Sequence, residues 1–407
     1  MSREIAIVGG GPIGLEAALY AEALGHRPRV YERGEVAGNV KDWGFVELFS
    51  PWKLNVSPLG LEVLRGTGVE PAAPEESLRG SEYRERYLLP IAAHLGERVR
   101  ENCEVLGVTR QGMMKDEAIG SPERAERPFR LLLRPTDGRE EGVRADVVID
   151  ASGVYQNRGA LGDGGIPAPG ETEARELIDY HLRDVTGRDR QLFAGRRTLL
   201  VGSGYSAATA LVDLVEIGAQ TPGTEIMWIR RQPLPRFEND PLPRRDRLAR
   251  VANALAGSPP AGLEVLEGWT VERLERRPDG LCATLAGPDG DQREERAIGR
   301  ILGLVGYRPD LALGRELQIH LCYATEGPMK LAALLLANDS GGDCLEQGGH
   351  GADSLANPEA GFFVLGHKSY GRRSDFLIKS GREQIRDVFR LIEGDPHLDL
   401  YREASET

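Results

Sequence analysis

Two stretches of the chain repeat one pattern of apolar and polar positions. In the first, EIAIVGG (4–10) is an unbroken apolar run too short for a helix, which predicts a strand buried on both faces. LEAALYAEALGH (15–26) then sets Ala and Leu at helical spacing and stops at Gly25, a C-terminal cap, and PRVYERG (28–34) reads as a second strand. The second stretch, RTLLVGSGYSAATALVDLVEIGA (197–219), repeats strand, glycines and helix, and EIMWIRRQ (225–232) comes after it as its next strand. SDFLIKSGREQIRDVFRLI (374–392) reads as a late helix. The fold class that results is α/β, with two Rossmann-like domains.

Each repeat carries a glycine turn between its strand and its helix. In the first, Gly9 permits the tight turn, Gly11 lets backbone amides approach a pyrophosphate, and Gly14 lets helix and strand pack closely. The helix N-terminus then faces the phosphates with unpaired N–H groups. Glu32 closes the second strand, where a carboxylate accepts protons from both ribose hydroxyls. In the second repeat the turn is Gly202, Gly204 and Ala207, and the acidic residue is missing; Arg230 and Arg231 stand in its place. A guanidinium pairs with a 2′-phosphate in a forked geometry, so this site favours NADPH over NADH. The solvated end of a strand is the alternative for these arginines.

Composition narrows the class. The chain has 407 residues, enough for two or three domains, and 63 acidic against 51 basic residues, a net charge of −12 that argues against a nucleic-acid partner. Cys103, Cys282, Cys322 and Cys344 are scattered without a Cys-x-x-Cys pair, which argues against a disulfide framework or a zinc site, so no metal is expected. No apolar run reaches about 18 residues, the length of a membrane span, and Met1 leads into a strand by residue 5, which predicts no signal peptide. A cytoplasmic protein acting on a small molecule is the expectation, with neither membrane nor nucleic acid as partner and a homodimer left open.

The two turns together resemble the two-dinucleotide-binding-domain flavoproteins, the group of flavin monooxygenases and pyridine nucleotide-disulfide reductase-like enzymes. The resemblance implies that the first turn binds FAD and the second NADPH. It implies a discontinuous FAD domain over 1–160 and 305–407, the second part ending in a helix, and an inserted NADPH domain over 190–300. GALGDGGIPAPGE (159–171) reads as a linker, and residues 339–359 as an exposed loop. By position, Pro12, Arg33, Val105, Gly153, Gly366 and Phe376 join Gly9, Gly11, Gly14 and Glu32 around FAD. Tyr205, Ser206 and Arg308 join Gly202, Gly204, Ala207, Arg230 and Arg231 around NADPH. The group usually ends the 362–366 strand in Gly-Asp; here His367 takes the Asp position.

The reaction is less constrained. VELFSPWKLNVSPLGLEVL (46–64) lies where monooxygenases place an aromatic passage ending in an Asn beside the flavin. The resemblance makes Asn55 a hydrogen-bonding group there and Trp52 a pocket wall, with Phe49 nearby; packing aromatics and a turn Asn are the alternative. His367 is a candidate proton donor. Tyr307 and Arg308 are placed to meet the nicotinamide or its phosphates. Lys368, Tyr370, Arg372 and Arg373 are placed at the flavin edge, to hold an anionic substrate or stabilise the reduced flavin's negative charge, with a solvated turn as the alternative for Arg372 and Arg373. The Phe-x-Gly-x-x-x-His fingerprint of monooxygenases is absent before the second turn, and in the Glu-x5-Gly-Gly-x-Trp element Glu32 and Gly38 match while Asn39 and Trp43 do not. Oxygen insertion on a small substrate leads. An NADPH-dependent reductase of a small disulfide or quinone, with Cys322 or Cys344 as a lone thiol, stands beside it, and a nucleotide-sensing protein is the third reading. Cys322, in IHLCYA, reads as an apolar strand residue.

Overall fold

The computed structural model describes residues 1–234, 240–337 and 351–402. The chain divides into two units, Met1–Asn157 with Arg308–Thr407, and Arg158–Tyr307. Each contains one five-stranded parallel sheet and one three-stranded antiparallel meander.

In the first unit β1 (Glu4–Val8), β2 (Arg27–Tyr31) and β3 (Val99–Arg100) lead into a meander of β4 (Cys103–Arg110), β5 (Phe129–Pro135) and β6 (Glu141–Ala145). The chain returns to the sheet through β7 (Val147–Asp150) and, after the second unit, β16 (Phe362–Val364), giving the order β16-β7-β1-β2-β3. The period of two sorts the strand side chains. Ile5, Ile7, Val147, Ile149 and Phe363 face the helices Pro12–Ala23 and Ile378–Glu393 with Tyr20, Ile385, Val388 and Phe389. Ala6, Val8, Val148, Phe362 and Val364 face the meander through Phe129, Leu131 and Leu133. Both faces are covered, which is why β1 reads as a continuous apolar run.

The second unit repeats this plan. β8 (Ile178–Asp179), β9 (Arg197–Val201), β10 (Glu225–Arg230), β11 (Leu263–Glu267) and β15 (Arg300–Gly303) form a sheet in the order β11-β10-β9-β15-β8. The meander of β12 (Thr270–Arg277), β13 (Gly280–Ala286) and β14 (Gln292–Ile298) lies between β11 and β15 in sequence, as the first meander lies between β3 and β7. The helix Tyr205–Gln220 covers one face through Ala207, Leu211 and Leu214. The meander covers the other through Leu274, Leu281 and Leu285. By sheet position β9 corresponds to β1, β10 to β2, β11 to β3, β15 to β7 and β8 to β16, so the duplication extends well beyond the two glycine turns.

The structure gives residues 159–171 a fixed place inside the second unit. Glu171, 3% exposed, accepts from the amides of Leu161 and Ala168 and from the Tyr180 hydroxyl at 2.6 Å. Gly170 lies so close to β12 that a Cβ there would sit 1.8 Å from the Leu274 carbonyl oxygen. Of the glycine-rich stretch 339–359, residues 339–350 lie outside the described residues. Its far end is anchored by the buried carboxylate of Glu359, which pairs with Arg110 at 2.6 Å and Arg124 at 3.0 Å. Among the described residues no helix is long and apolar enough to cross a membrane.

Candidate functional site

Each unit carries its candidate site at the C-terminal ends of its central strands. In the first unit the Gly9 amide donates to the Tyr31 carbonyl at 2.8 Å, drawing the turn against β2. Gly9 has φ +105°, and a Cβ there would lie 2.6 Å from the Ala151 carbonyl oxygen. A Cβ on Gly14 would lie 1.9 Å from the Gly9 oxygen, so this position fixes how closely helix and turn approach. Gly11 is the reverse case: nothing lies within 4 Å of where its Cβ would be. Gly11 also caps the helix with no side-chain hydrogen bond, and Pro12 supplies the first turn with no N–H of its own. The turn is thus open at Gly11, where a phosphate could approach the helix N-terminus.

Glu32 stands beside that space. Its carboxylate accepts from the Gly10 amide at 2.7 Å and the Gly34 amide at 2.9 Å, which fixes its orientation while each oxygen keeps a second lone pair for a hydroxyl. Arg33 is exposed, and Val105 is partly buried on β4, whose first residue Cys103 donates its amide to the Glu32 carbonyl. Gly153 comes after β7 with φ +70°. Gly366 comes after β16 with φ +72°, and its amide donates to Gln384 on the late helix at 2.9 Å. Phe376 packs edge-on against Tyr370 and stacks on the His367 ring at 5.8 Å.

The ends of β7 and β16 hold a pair that the sequence pattern does not bring together. Lys368 Nζ donates to Asp150 Oδ2 at 2.7 Å and Ser152 Oγ at 3.0 Å, with both charged side chains 3% exposed. An acidic group thus lies at the end of the neighbouring strand, neutralised by the residue that comes after His367. The other members of the predicted cationic cluster also have internal partners: Arg372 pairs with Glu326 at 2.9 Å and Arg373 with Asp375 at 2.6 Å.

His367 does not fit a proton donor. Burial holds its imidazolium below the usual range, against an opposing hydrogen bond to the Arg373 carbonyl. Because a carbonyl only accepts, Nε2 carries the proton of the neutral ring and spends it on Arg373 O at 2.9 Å. Trp52 is a core aromatic, 3% exposed and edge-on to Tyr87 at 5.6 Å and Tyr83 at 6.4 Å. Asn55 is 2% exposed and tied to one residue at both ends of its amide: Ser50 Oγ donates to Oδ1 at 2.7 Å, and Nδ2 donates to Ser50 O at 2.9 Å. The packing alternative describes both residues.

The cysteines divide in two. Cys103 and Cys282 are buried, and burial raises their thiols above the ordinary value. Cys322 is partly exposed and sits at the start of a turn, its amide donating to Gly327 O at 2.8 Å, and not within a strand as its apolar neighbours suggested. Hydrogen bonding from the Thr325 side chain and backbone lowers its thiol. Cys344 lies outside the described residues.

The second unit repeats the glycine geometry. The Gly202 amide donates to the Ile229 carbonyl at 3.0 Å, and a Cβ on Gly202 would lie 2.3 Å from the Leu304 oxygen. Nothing lies within 4 Å of a Cβ on Gly204, which caps the helix without a side-chain hydrogen bond. Ala207 is fully buried behind the turn, Tyr205 is half-buried and Ser206 is exposed in the first helical turn. The two amide bonds set the register: Ile229 corresponds to Tyr31, hence Arg230 to Glu32 and Arg231 to Arg33. Arg230 is turned inward, 7% exposed, bonded to Glu267 at 2.7 Å and Asn253 at 3.2 Å. Arg231 is exposed, and its amide donates to Ser203 Oγ at 2.7 Å, which ties its backbone to the turn. The structure thus separates two residues that the sequence treated as one fork. Arg308, half-buried, belongs to the first unit, where its amide donates to Asn157 O at 2.8 Å.

A model of the pyridine nucleotide-disulphide oxidoreductase family matches residues 4–71, the segment holding the first glycine turn and Glu32. Solved structures match nearly the whole chain. A bacillithiol disulfide reductase from Bacillus cereus is 17% identical with a TM-score of 0.68, covering 97% of this chain and 100% of its own. The cadaverine monooxygenase of desferrioxamine biosynthesis from Erwinia amylovora, solved with FAD, is 14% identical with a TM-score of 0.67, covering 100% of this chain and 98% of its own. An ornithine N-hydroxylase from Kutzneria sp. 744 is 14% identical with a TM-score of 0.62, covering 97% of this chain and 100% of its own. At these identities the likeness is one of fold.

Proposed function

We propose that this chain is an FAD-dependent oxidoreductase that draws hydride from NADPH, with FAD on the first unit and NADPH on the second, and that it inserts oxygen into a small molecule. The observation that carries the cofactor reading is the pair of uncapped helix N-termini, each opening onto free space at Gly11 or Gly204. When bound, the nicotinamide supplies two electrons as hydride and the flavin passes them onward. The protein's own part is to hold and orient. First-turn amides face the diphosphate, Glu32 takes the ribose hydroxyls of FAD, and Arg231 meets the 2′-phosphate that distinguishes NADPH from NADH. The buried Lys368–Asp150 pair fixes the ends of β7 and β16, over which the remainder of the flavin nucleotide would lie.

A second reading rests on Cys322, whose lowered thiol and partial exposure suit an NADPH-dependent reductase of a small disulfide. Anaerobic mixing of the flavin-loaded protein with NADPH, with flavin absorbance as the readout, tests both. Bleaching by NADPH well ahead of NADH supports the cofactor assignment, and a flavin that stays oxidised refutes it and favours a nucleotide sensor. Turnover that stops without dioxygen supports oxygen insertion. Turnover that continues supports the reductase, and a Cys322→Ser protein then tells whether the thiol takes part.

A further inference from the structure

We propose that His181 and Tyr307 form the docking pair for the nicotinamide end of the dinucleotide on the second unit; this rests on the NADPH reading of that unit.

The duplication locates the place. In an open parallel sheet a ligand lies outside the C-terminal strand ends, at the point where strand order reverses. In the second unit that point falls between β9 and β15, since β10 and β11 continue on one side and β8 on the other. The diphosphate would sit on the Tyr205 helix and the adenosine half beside Arg231 at the end of β10. The other half is left with the ends of β15 and β8. Beyond the end of β15 the chain makes a glycine turn, Gly306 with φ +88°, and then reaches Tyr307. Beyond the end of β8 stand Tyr180 and His181.

These two ends are joined by side chains. The rings of His181 and Tyr307 stack with centroids 5.6 Å apart and planes 18° apart, and the Tyr307 hydroxyl lies 3.1 Å from His181 Nδ1. Both residues are half-buried, so the pair is neither core nor free surface. The adjacent Tyr180 is committed elsewhere: its hydroxyl donates to Glu171, and the Arg158 guanidinium lies 3.4 Å over its ring. Tyr180 is buried, whereas His181, the next residue, is half-buried just past the end of β8. The first unit bridges the equivalent ends of β7 and β16 with an ion pair, Lys368–Asp150. Where that unit uses charge, the second uses two flat rings locked by a hydrogen bond, a platform for a flat aromatic group with a carboxamide.

The test uses the full chain and two probes, NADP+ and 2′-phospho-ADP-ribose, which lacks the nicotinamide. Titration calorimetry compares the wild-type protein with His181→Ala, Tyr307→Leu and Tyr307→Phe. The expected result is a loss of roughly five-fold or more in NADP+ affinity for His181→Ala and Tyr307→Leu, the scale of one aromatic stack, with the fragment's affinity unchanged. Tyr307→Phe, which keeps the ring and drops the hydroxyl, is expected to restore most of the loss seen in Tyr307→Leu. Equal weakening of both probes, or of neither, overturns the pair while leaving the dinucleotide site standing. A wild-type protein that binds neither probe overturns the NADPH reading itself. Thermal denaturation of each variant separates a misfolded protein from one that has lost the contact.

Discussion

Arg230 and Arg231 show how much one residue of register decides. Adjacent in sequence, they point to different environments: Arg230 is buried against Glu267 and Asn253, and Arg231 stands exposed beside the glycine turn. Arg231→Ala is expected to weaken NADPH by about ten-fold or more while sparing NADH, the cost of one charge-assisted pair with a phosphate. Arg230→Ala is expected to lower the melting temperature and to weaken both nucleotides alike. Binding titrations with the two cofactors check this, and an Arg230→Ala protein selectively impaired for NADPH would reverse the assignment. Asp213 makes a prediction at the same scale. Burial, with Glu216 and Asp184 nearby, pushes its carboxyl up to about 7. A raised folded-state value means that its stabilising contribution is complete below the ordinary carboxyl value of about 4 and is lost as pH rises toward 7. The loss has a ceiling of about 4 kcal/mol at roughly 1.4 kcal/mol per pH unit. Asp213→Asn is expected to raise the melting temperature over wild type by more at pH 8 than at pH 4.5, measured by calorimetry at both.

At the scale of elements, the strand ends matter more than the strands. Lys368→Met would leave Asp150 buried without its counter-ion, a loss on the order of 3–5 kcal/mol. Adding Asp150→Asn removes the stranded charge, so the double variant is expected to recover much of that stability in denaturant titrations. If the double variant is as unstable as Lys368→Met alone, the pair is not what holds the ends of β7 and β16. This pair also marks the limit of what the sequence disclosed. β1, β9 and β10 and the glycine turns were legible because burial on both faces writes a continuous apolar run and because a turn needing φ +105° at Gly9 and close approach at Gly14 admits glycine. Glu32 was legible for the same reason, since it ends a strand of recognisable pattern. Lys368 and Asp150 are 218 residues apart, and Lys368 read as one of a cluster of cations at the flavin edge, with nothing in the sequence to name its buried partner. Tyr307 was placed near the nicotinamide by its position, but its pairing with His181 was hidden: β8 has two residues, too short for any periodicity to announce it. Residues 159–171 read as a linker from their glycines and prolines, but the positive φ of Gly170 and its approach to Leu274 use glycine to pack.

At the scale of the whole molecule, the duplication implies that each unit is complete in itself. Arg158–Tyr307 is one continuous segment with its own sheet, meander and two-sided core. Its ends lie side by side, with Arg158 bridged to Tyr307 and the Gly159 amide bonded to Gly306 O at 2.8 Å. In the first unit the flanking residues are also neighbours, the Arg308 amide donating to Asn157 O at 2.8 Å. An insertion whose two ends meet can be removed with little strain on the host. Expressed alone, residues 158–307 are expected to melt cooperatively and to bind 2′-phospho-ADP-ribose with an affinity close to that of the full chain. The complementary protein, with Asn157 joined to Arg308 through a short glycine linker, is expected to fold, to retain FAD and to lose reduction by NADPH. Calorimetry on each piece and flavin absorbance on the second read these outcomes. The outcome that counts most is flavin retention: should the joined first unit fold yet release FAD, the site around Gly11 and Glu32 does not suffice to hold the flavin, and the assignment of FAD to that unit alone falls.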